Sequence, residues 1–164
     1  MNEIRFLERE LFIVVVRPGR LDQIVKFVHL NMLMKIVNVL FCIIFIIFAA
    51  LQYNDPDPYI WIPIYLYAAA LCALAANNKF YHVAYWIGIV VYGLYAVYEF
   101  FGKDGVLDWI QKHHAENIAN TMKAETPWIE ETREFFGLII LIVVLLINYF
   151  YSRRKTISKT AHNT

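Results

Sequence analysis

Four long stretches without a charged residue decide what this chain can fold into. Each approaches the roughly 20 residues that an α-helix needs to cross about 30 Å of hydrocarbon. Because a bilayer offers the backbone no hydrogen-bond partners, such stretches fold as helices. Segment 41–50 is apolar at every position, which excludes the alternation of a β-barrel strand. The uncharged stretches are residues 36–54, 58–78, 80–98 and 135–152.

The composition agrees with a membrane protein. Hydrophobic residues make up 60% of the chain and charged residues 18%, which is more apolar side chain than a water-soluble domain carries. Basic residues cluster only in the short tail after residue 152, and no basic face with interleaved aromatic residues occurs elsewhere. We therefore expect no nucleic-acid partner.

We predict an all-α membrane protein, a four-transmembrane-helix bundle with an extracytoplasmic amphipathic helix between the third and fourth spans. Residues 1–33 are either an amphipathic N-terminal extension or an over-long gene start, because Met32 and Met34 directly precede the first span. A transmembrane domain at 34–152 is followed by a basic cytoplasmic tail at 153–164. The predicted spans are 35–54, 58–78, 80–101 and 128–152, and the predicted surface helix is 105–123.

Turn signals separate the spans. Asp57 followed by Pro58 is typical of a helix start, with the aspartate as N-cap and the proline at the first helical position. Asn77 and Asn78 lie in a connection so short that the second and third helices should be antiparallel neighbours. Pro127, after a threonine, marks the start of the fourth helix ahead of its apolar stretch.

Lysine and arginine residues lie mainly at one end of the predicted bundle. Lys26 and Lys35 precede the first span, Lys79 lies between the second and third, and a basic tail follows the fourth. The positive-inside rule then predicts a multi-pass protein of the cell membrane with both termini in the cytoplasm. We expect the lipid bilayer as partner, with anionic headgroups near the tail. A partner membrane protein or a second copy of the chain is a further expectation.

One face of each predicted span carries polar or small side chains at helical spacing. On the third span this stripe ends in a carboxylate. We expect these faces to point into the bundle, where polar groups find partners. The stripes are Asn38, Cys42, Phe45, Ala49 and Gln52; Trp61, Tyr65, Ala68, Cys72 and Ala75; Tyr81, Tyr85, Gly88, Tyr92, Tyr95 and Glu99; and Glu134, Gly137, Leu141, Val144 and Asn148.

At the outer end of these stripes the sequence predicts a cluster of acidic, polar and aromatic residues, the acidic cup. In a structural interpretation, Asp55 and Asp57 cap the second helix and Arg133 pairs with a carboxylate. In a functional interpretation, the acidic cup binds a metal ion or a small cationic ligand against aromatic walls. Its residues are Gln52, Asn54, Asp55, Asp57, Trp61, Tyr65, Tyr95, Glu99, Glu131, Arg133 and Glu134.

Motifs of catalysis are missing from the sequence. The pair His113-His114 lacks the spacing of a zinc helix, and no nucleophile elbow or phosphate-binding loop occurs. We therefore expect no catalytic residues and no cofactor, and we interpret the chain as a non-enzymatic binding or scaffold module. One alternative is a small oligomeric permease or cation-binding protein that uses the acidic cup. A second is a metal-dependent membrane hydrolase.

Two motifs resemble the transmembrane protein 220 family. One is Gln52-Tyr53-Asn54-Asp55-Pro56-Asp57, followed by Trp61 and Tyr65, and the other is Glu130-Glu131-Thr132-Arg133-Glu134 with Gly137-Leu138. The resemblance covers residues 34–151. Thr132 stands where the family pattern has a small, glycine-like residue, and the segment before Met32 lies outside the resemblance. It implies a multi-spanning protein and carries no established activity.

Overall fold

A computed structural model describes residues 18–118 and 126–160 of the chain. Within them the backbone is helical, apart from short turns. Four of the described helices are long and apolar enough to cross a membrane, which confirms the predicted all-α bundle of four spans. The elements are α1 (Pro18–Leu51), a 3-10 turn (Gln52–Asn54), α2 (Pro58–Ala76), α3 (His82–Phe101), α4 (Val106–Lys112) and α5 (Pro127–Thr160).

The four long helices pack as two pairs. Helix α1 lies along α2, and α3 lies along α5. Helix α2 also contacts α3 and α5, and so joins the pairs into one bundle. The connection at residues 77–81 makes α2 and α3 consecutive, yet each packs more extensively on another helix. The short connection therefore makes these two helices antiparallel. Side-chain packing determines which helix each of them contacts most extensively.

Most residues of the stripes predicted from helical spacing lie in the core, whereas Tyr81, at the start of the third stripe, is exposed because it precedes α3 at the end of the bundle. Glu99 and Asn148 are buried in the core although both are polar. Every member of the α2 stripe is buried, because small alanines let the neighbouring helices approach closely. The buried stripe residues are Asn38, Phe45, Ala49, Trp61, Tyr65, Ala68, Cys72, Ala75, Tyr85, Gly88, Tyr92, Glu99, Leu141, Val144 and Asn148.

Polar side chains inside the bundle bond across helix interfaces. The Tyr92 hydroxyl on α3 donates to the backbone carbonyl of Ile64 on α2, at 2.8 Å. The Tyr67 hydroxyl on α2 donates in the other direction, to the carbonyl of Ala84, at 2.9 Å. These bonds satisfy hydroxyls that would find no water in a bilayer. They also fix the depth at which α2 and α3 face each other.

The first and last helices are longer than predicted. Helix α1 begins at Pro18, so residues 18–33 continue the helix of the first span. Pro18 occupies the first position of the helix, where a proline is well tolerated. The amphipathic pattern before it lies outside the described residues. Helix α5 continues into the predicted tail as far as Thr160.

The predicted surface helix is shorter than expected. It covers Val106–Lys112, and the prediction of helix for residues 113–118 is wrong. His114 and Ala115 adopt positive φ angles of 49° and 54°, and the Ala115 amide donates back to the carbonyl of Trp109. This turn closes the helix in the manner of a C-terminal cap. Residues 119–123, the remainder of the prediction, lie outside the described part of the chain.

Candidate functional site

A cavity of about 240 Å³ opens at the bundle end where α2 and α5 begin and α3 ends. We call it the acidic cavity, because five of its eight lining residues carry carboxylates. Three elements contribute to it: the turn before α2, the last two turns of α3 and the first two turns of α5. Its lining residues are Pro56, Asp57, Tyr95, Tyr98, Glu99, Glu130, Glu131 and Glu134.

Asp57 enters the cavity from the turn before α2. It occupies the predicted N-cap position, with Pro58 next, and its backbone carbonyl accepts from the Ile60 amide at 3.0 Å. Its carboxylate makes no capping hydrogen bond to α2 and lines the cavity instead. Burial, and then the negative charge of Asp55 and of Glu131, raise the pKa of Asp57 above its ordinary value.

Glu99 is the most deeply buried acid of the site. It lies in the last turn of α3 and is only 1% exposed. Its Oε2 atom has no hydrogen-bond partner in the described parts of the chain. A buried carboxylate oxygen without a partner is energetically costly unless a proton, a cation or water satisfies it. Among the cavity carboxylates, Glu99 is therefore the one that a bound proton, cation or water would stabilise most.

The acids of α5 face two sides of the cavity. One oxygen from each of Glu99, Glu131 and Glu134 lies within 4.8 Å of the others. A second group with the same spacing consists of Asp55, Glu130 and Glu134. The carboxylates are therefore close enough for one cation to be bound by three of them.

Aromatic rings form the wall and the floor. Tyr95 stacks on Tyr98 with centroids 5.9 Å apart, and both line the cavity. Trp61, at 1% exposure, lies 5.4 Å from the Tyr95 ring and 6.0 Å from Tyr65. A Cβ atom on Gly137 would lie 2.9 Å from the Tyr65 hydroxyl, so glycine lets this tyrosine reach α5 beneath Glu134.

Six members of the predicted acidic cup do not line the cavity. They are Gln52, Asn54, Asp55, Trp61, Tyr65 and Arg133. Gln52 and Asn54 belong to the 3-10 turn, where the Gln52 carbonyl accepts from the Asp55 amide at 3.1 Å and Asn54 is exposed. Arg133 donates from Nε, at 2.7 Å, and from Nη2 to the backbone carbonyl of Ile118. Its guanidinium thus ties the segment after α4 to α5.

Three lining residues were absent from the predicted acidic cup: Pro56, Tyr98 and Glu130. Glu130 stands four residues before Glu134, hence on the same helix face, so the spacing could have identified it. Tyr98 follows Tyr95 by three residues, and the same periodicity argument applies. The sequence gives no comparable signal for Pro56, which lines the cavity through the path of the turn.

Among the described lining residues, the side chains that can bind a cation offer carboxylate and phenol oxygens. His113 contributes nothing to this donor set, because its ring stacks on Trp128 with centroids 4.3 Å apart. His82 lies at the opposite end of α3, where its Nε2 atom is 2.9 Å from the Ser152 hydroxyl. Such an oxygen donor set suits hard cations such as Ca²⁺, Mg²⁺ and Mn²⁺.

Comparison with known proteins places the chain in a family. No curated protein and no solved structure matches it. The family model described as "Transmembrane family 220, helix" matches residues 44–150, which include α2, α3, α4 and every residue of the acidic cavity. Since this match covers well over half of the 164 residues, the chain belongs to transmembrane family 220.

Proposed function

We propose that this multi-pass membrane protein is a non-enzymatic binding protein whose acidic cavity holds a divalent metal cation. The observation that supports this most directly is Glu99, buried to 1% exposure with an unpartnered Oε2 atom. Glu131 and Glu134 each offer an oxygen within 4.8 Å. A cation among these three carboxylates would replace their mutual repulsion by attraction.

The packing beneath the cavity favours binding over passage through the bundle. Trp61 and Leu138 are fully buried under the carboxylates, and Tyr65 is buried beside them. These large side chains fill the centre of the bundle at that depth. A bound ion would therefore sit at one end of the protein and leave by the same opening.

An organic cation is the second candidate ligand. The stacked rings of Tyr95 and Tyr98 favour it, because they form one wall of the cavity and aromatic faces attract ammonium groups. A polyamine such as spermidine would place its amines on the carboxylates and its methylenes on these rings. Docking of a partner membrane protein or of a second copy of the chain stays a prediction.

Thermal unfolding in detergent tests the proposal. The full-length protein is purified in mild detergent, treated with a chelator, and melted with CaCl₂, MgCl₂, MnCl₂ or spermidine. A ligand at about 100 times its Kd stabilises a single site by about 2.7 kcal/mol, which for a chain of this size is a rise in melting temperature of several degrees. We expect this rise with at least one of the divalent cations.

Glu99→Gln is the decisive variant. It keeps the shape of the side chain and removes the charge, so it should clearly reduce the cation-dependent rise while increasing stability in chelator. Glu116→Gln is the matched control, because Glu116 is exposed and lies outside the cavity. An equal rise in wild type and Glu99→Gln, or no rise with any divalent cation, would overturn the proposal. A rise with spermidine alone would favour the organic cation.

A further inference from the structure

The two groups of closely spaced carboxylates at the acidic cavity share one member, and Asp55 is the group member that does not line the cavity. Asp55, Glu130 and Glu134 form one group, and Glu99, Glu131 and Glu134 form the other. Within each group the chosen oxygens lie within 4.8 Å of one another. Because a carboxylate has two oxygens, Glu134 can serve both groups at the same time.

The spacing of the acids on α5 explains this arrangement. Successive residues of an α-helix are about 100° apart around its axis, and residues four apart stand nearly above one another. Glu130 and Glu131 therefore diverge to two sides of α5, and Glu134 lies one turn beneath both. Glu130 reaches Asp55 on the turn before α2, whereas Glu131 reaches Glu99 on α3.

We infer that the acidic cavity binds two divalent cations, bridged by the carboxylate of Glu134. This inference rests on the proposed function and specifies its stoichiometry. One ion would lie between α5 and the turn before α2, and the other between α5 and α3. Carboxylates shared in this way hold metal pairs about 3.5–4 Å apart.

Charge balance supports two ions. The two groups contain five carboxylates, and Asp57, which also lines the cavity, is the sixth. One divalent cation would leave most of that negative charge uncompensated in a partly buried site, which is unfavourable. A second cation would neutralise half of the charge that remains. The cavity volume of about 240 Å³ also leaves space for the water ligands that hard cations retain.

Mn²⁺ is a suitable probe because elemental analysis gives the number of bound ions and the electron paramagnetic resonance spectrum shows whether two of them lie close together. The full-length protein in mild detergent is dialysed against Mn²⁺, its bound metal is measured by elemental analysis, and its electron paramagnetic resonance spectrum is recorded. We expect two Mn²⁺ per chain with the spectrum of a magnetically coupled pair. One Mn²⁺ per chain would overturn this inference and leave the proposed function intact. No bound Mn²⁺, Ca²⁺ or Mg²⁺ would overturn both.

Variants separate the two ion positions. Asp55→Asn should reduce the stoichiometry to one and leave the ion held by Glu99, with an uncoupled spectrum. Glu99→Gln should also reduce it to one, with the remaining ion on the other side of α5. Glu134→Gln should remove the coupling and weaken both ions, whereas Glu116→Gln should keep two coupled ions. A coupled pair that persists in Glu134→Gln would contradict the bridging role.

Discussion

The side-chain amides of Asn38 on α1 and Asn148 on α5 donate hydrogen bonds to each other's carbonyl oxygens, at 2.8 and 2.7 Å. Both residues are buried, and Asn38 donates also to the carbonyl of Met34 one turn earlier. The pair joins the first and last helices of the bundle, which otherwise pack mainly on α2 and α3. It is a direct connection between the two helix pairs.

Asn148→Leu should lower the free energy of unfolding by about 1 kcal/mol, because it leaves the Asn38 amide without its cross-helix partner in an apolar environment. Reversible unfolding in mixed micelles measures the change. The double variant Asn38→Leu/Asn148→Leu removes both polar groups and should recover part of the loss. If the double variant is as unstable as the sum of the single ones, the reciprocal bond is not what stabilises this contact.

Helical spacing predicted the buried faces well, for a physical reason. A side chain's direction around a helix axis follows from its position in the chain, and a bilayer leaves polar groups only the bundle interior. Glu99 and Asn148 are buried as their stripes predicted. Which helices pack against each other was harder to predict from the sequence, since it depends on how whole helix surfaces interdigitate.

The direction of individual polar side chains could not be predicted in the same way. Asp57 occupies the expected N-cap position, yet its carboxylate lines the acidic cavity. The guanidinium of Arg133 donates to the Ile118 carbonyl, an acceptor that the sequence did not indicate. Both groups have several acceptors or donors within reach of a flexible side chain, so only the packed structure decides among them. The end of α4 likewise depends on positive φ angles at two residues. Such angles are uncommon outside glycine, and the sequence alone did not indicate them.

Stability in chelator should fall as the pH rises, in part through Asp57. Burial and the facing charges of Asp55 and Glu131 raise its pKa above the ordinary 3.8, so the folded protein binds this proton more tightly than the unfolded chain does. The resulting stability is complete below about pH 3.8 and is lost as the pH rises through the raised pKa. Asp57→Asn should therefore melt at a higher temperature than wild type at pH 7.

The melting temperature of Asp57→Asn should also depend less on pH than that of wild type, although the other cavity carboxylates remain. Asp104→Asn is the control, since Asp104 lies outside the cavity and its φ of 63° suits asparagine. If Asp104→Asn flattens the pH profile as much as Asp57→Asn does, the effect does not come from the cavity.

The orientation in the membrane is predicted from the basic residues at one end of the bundle. Lys155 donates to the Asn78 side chain at 2.6 Å, so the end of α5 and the turn between α2 and α3 lie together. A reporter fused after Thr164 should be active in the cytoplasm, and one inserted near Asn117 should be active outside. Exchanged signals would reverse the orientation and direct the acidic cavity to the cytoplasm.

Gly105→Ala should weaken cation binding without touching a carboxylate. A Cβ atom at Gly105 would lie 2.0 Å from the backbone carbonyl oxygen of Glu99 and 3.1 Å from that of Gly102. Because these are backbone atoms, the end of α3 must shift and carry Glu99 away from its partners. We expect a lower melting temperature in chelator and a smaller rise with divalent cations.

Gly93→Ala is the matched control on α3, since nothing lies within 4 Å of its Cβ position. It should keep the rise and gain up to about 1 kcal/mol from helix propensity. An unchanged rise in Gly105→Ala would show that the position of Glu99 does not control binding.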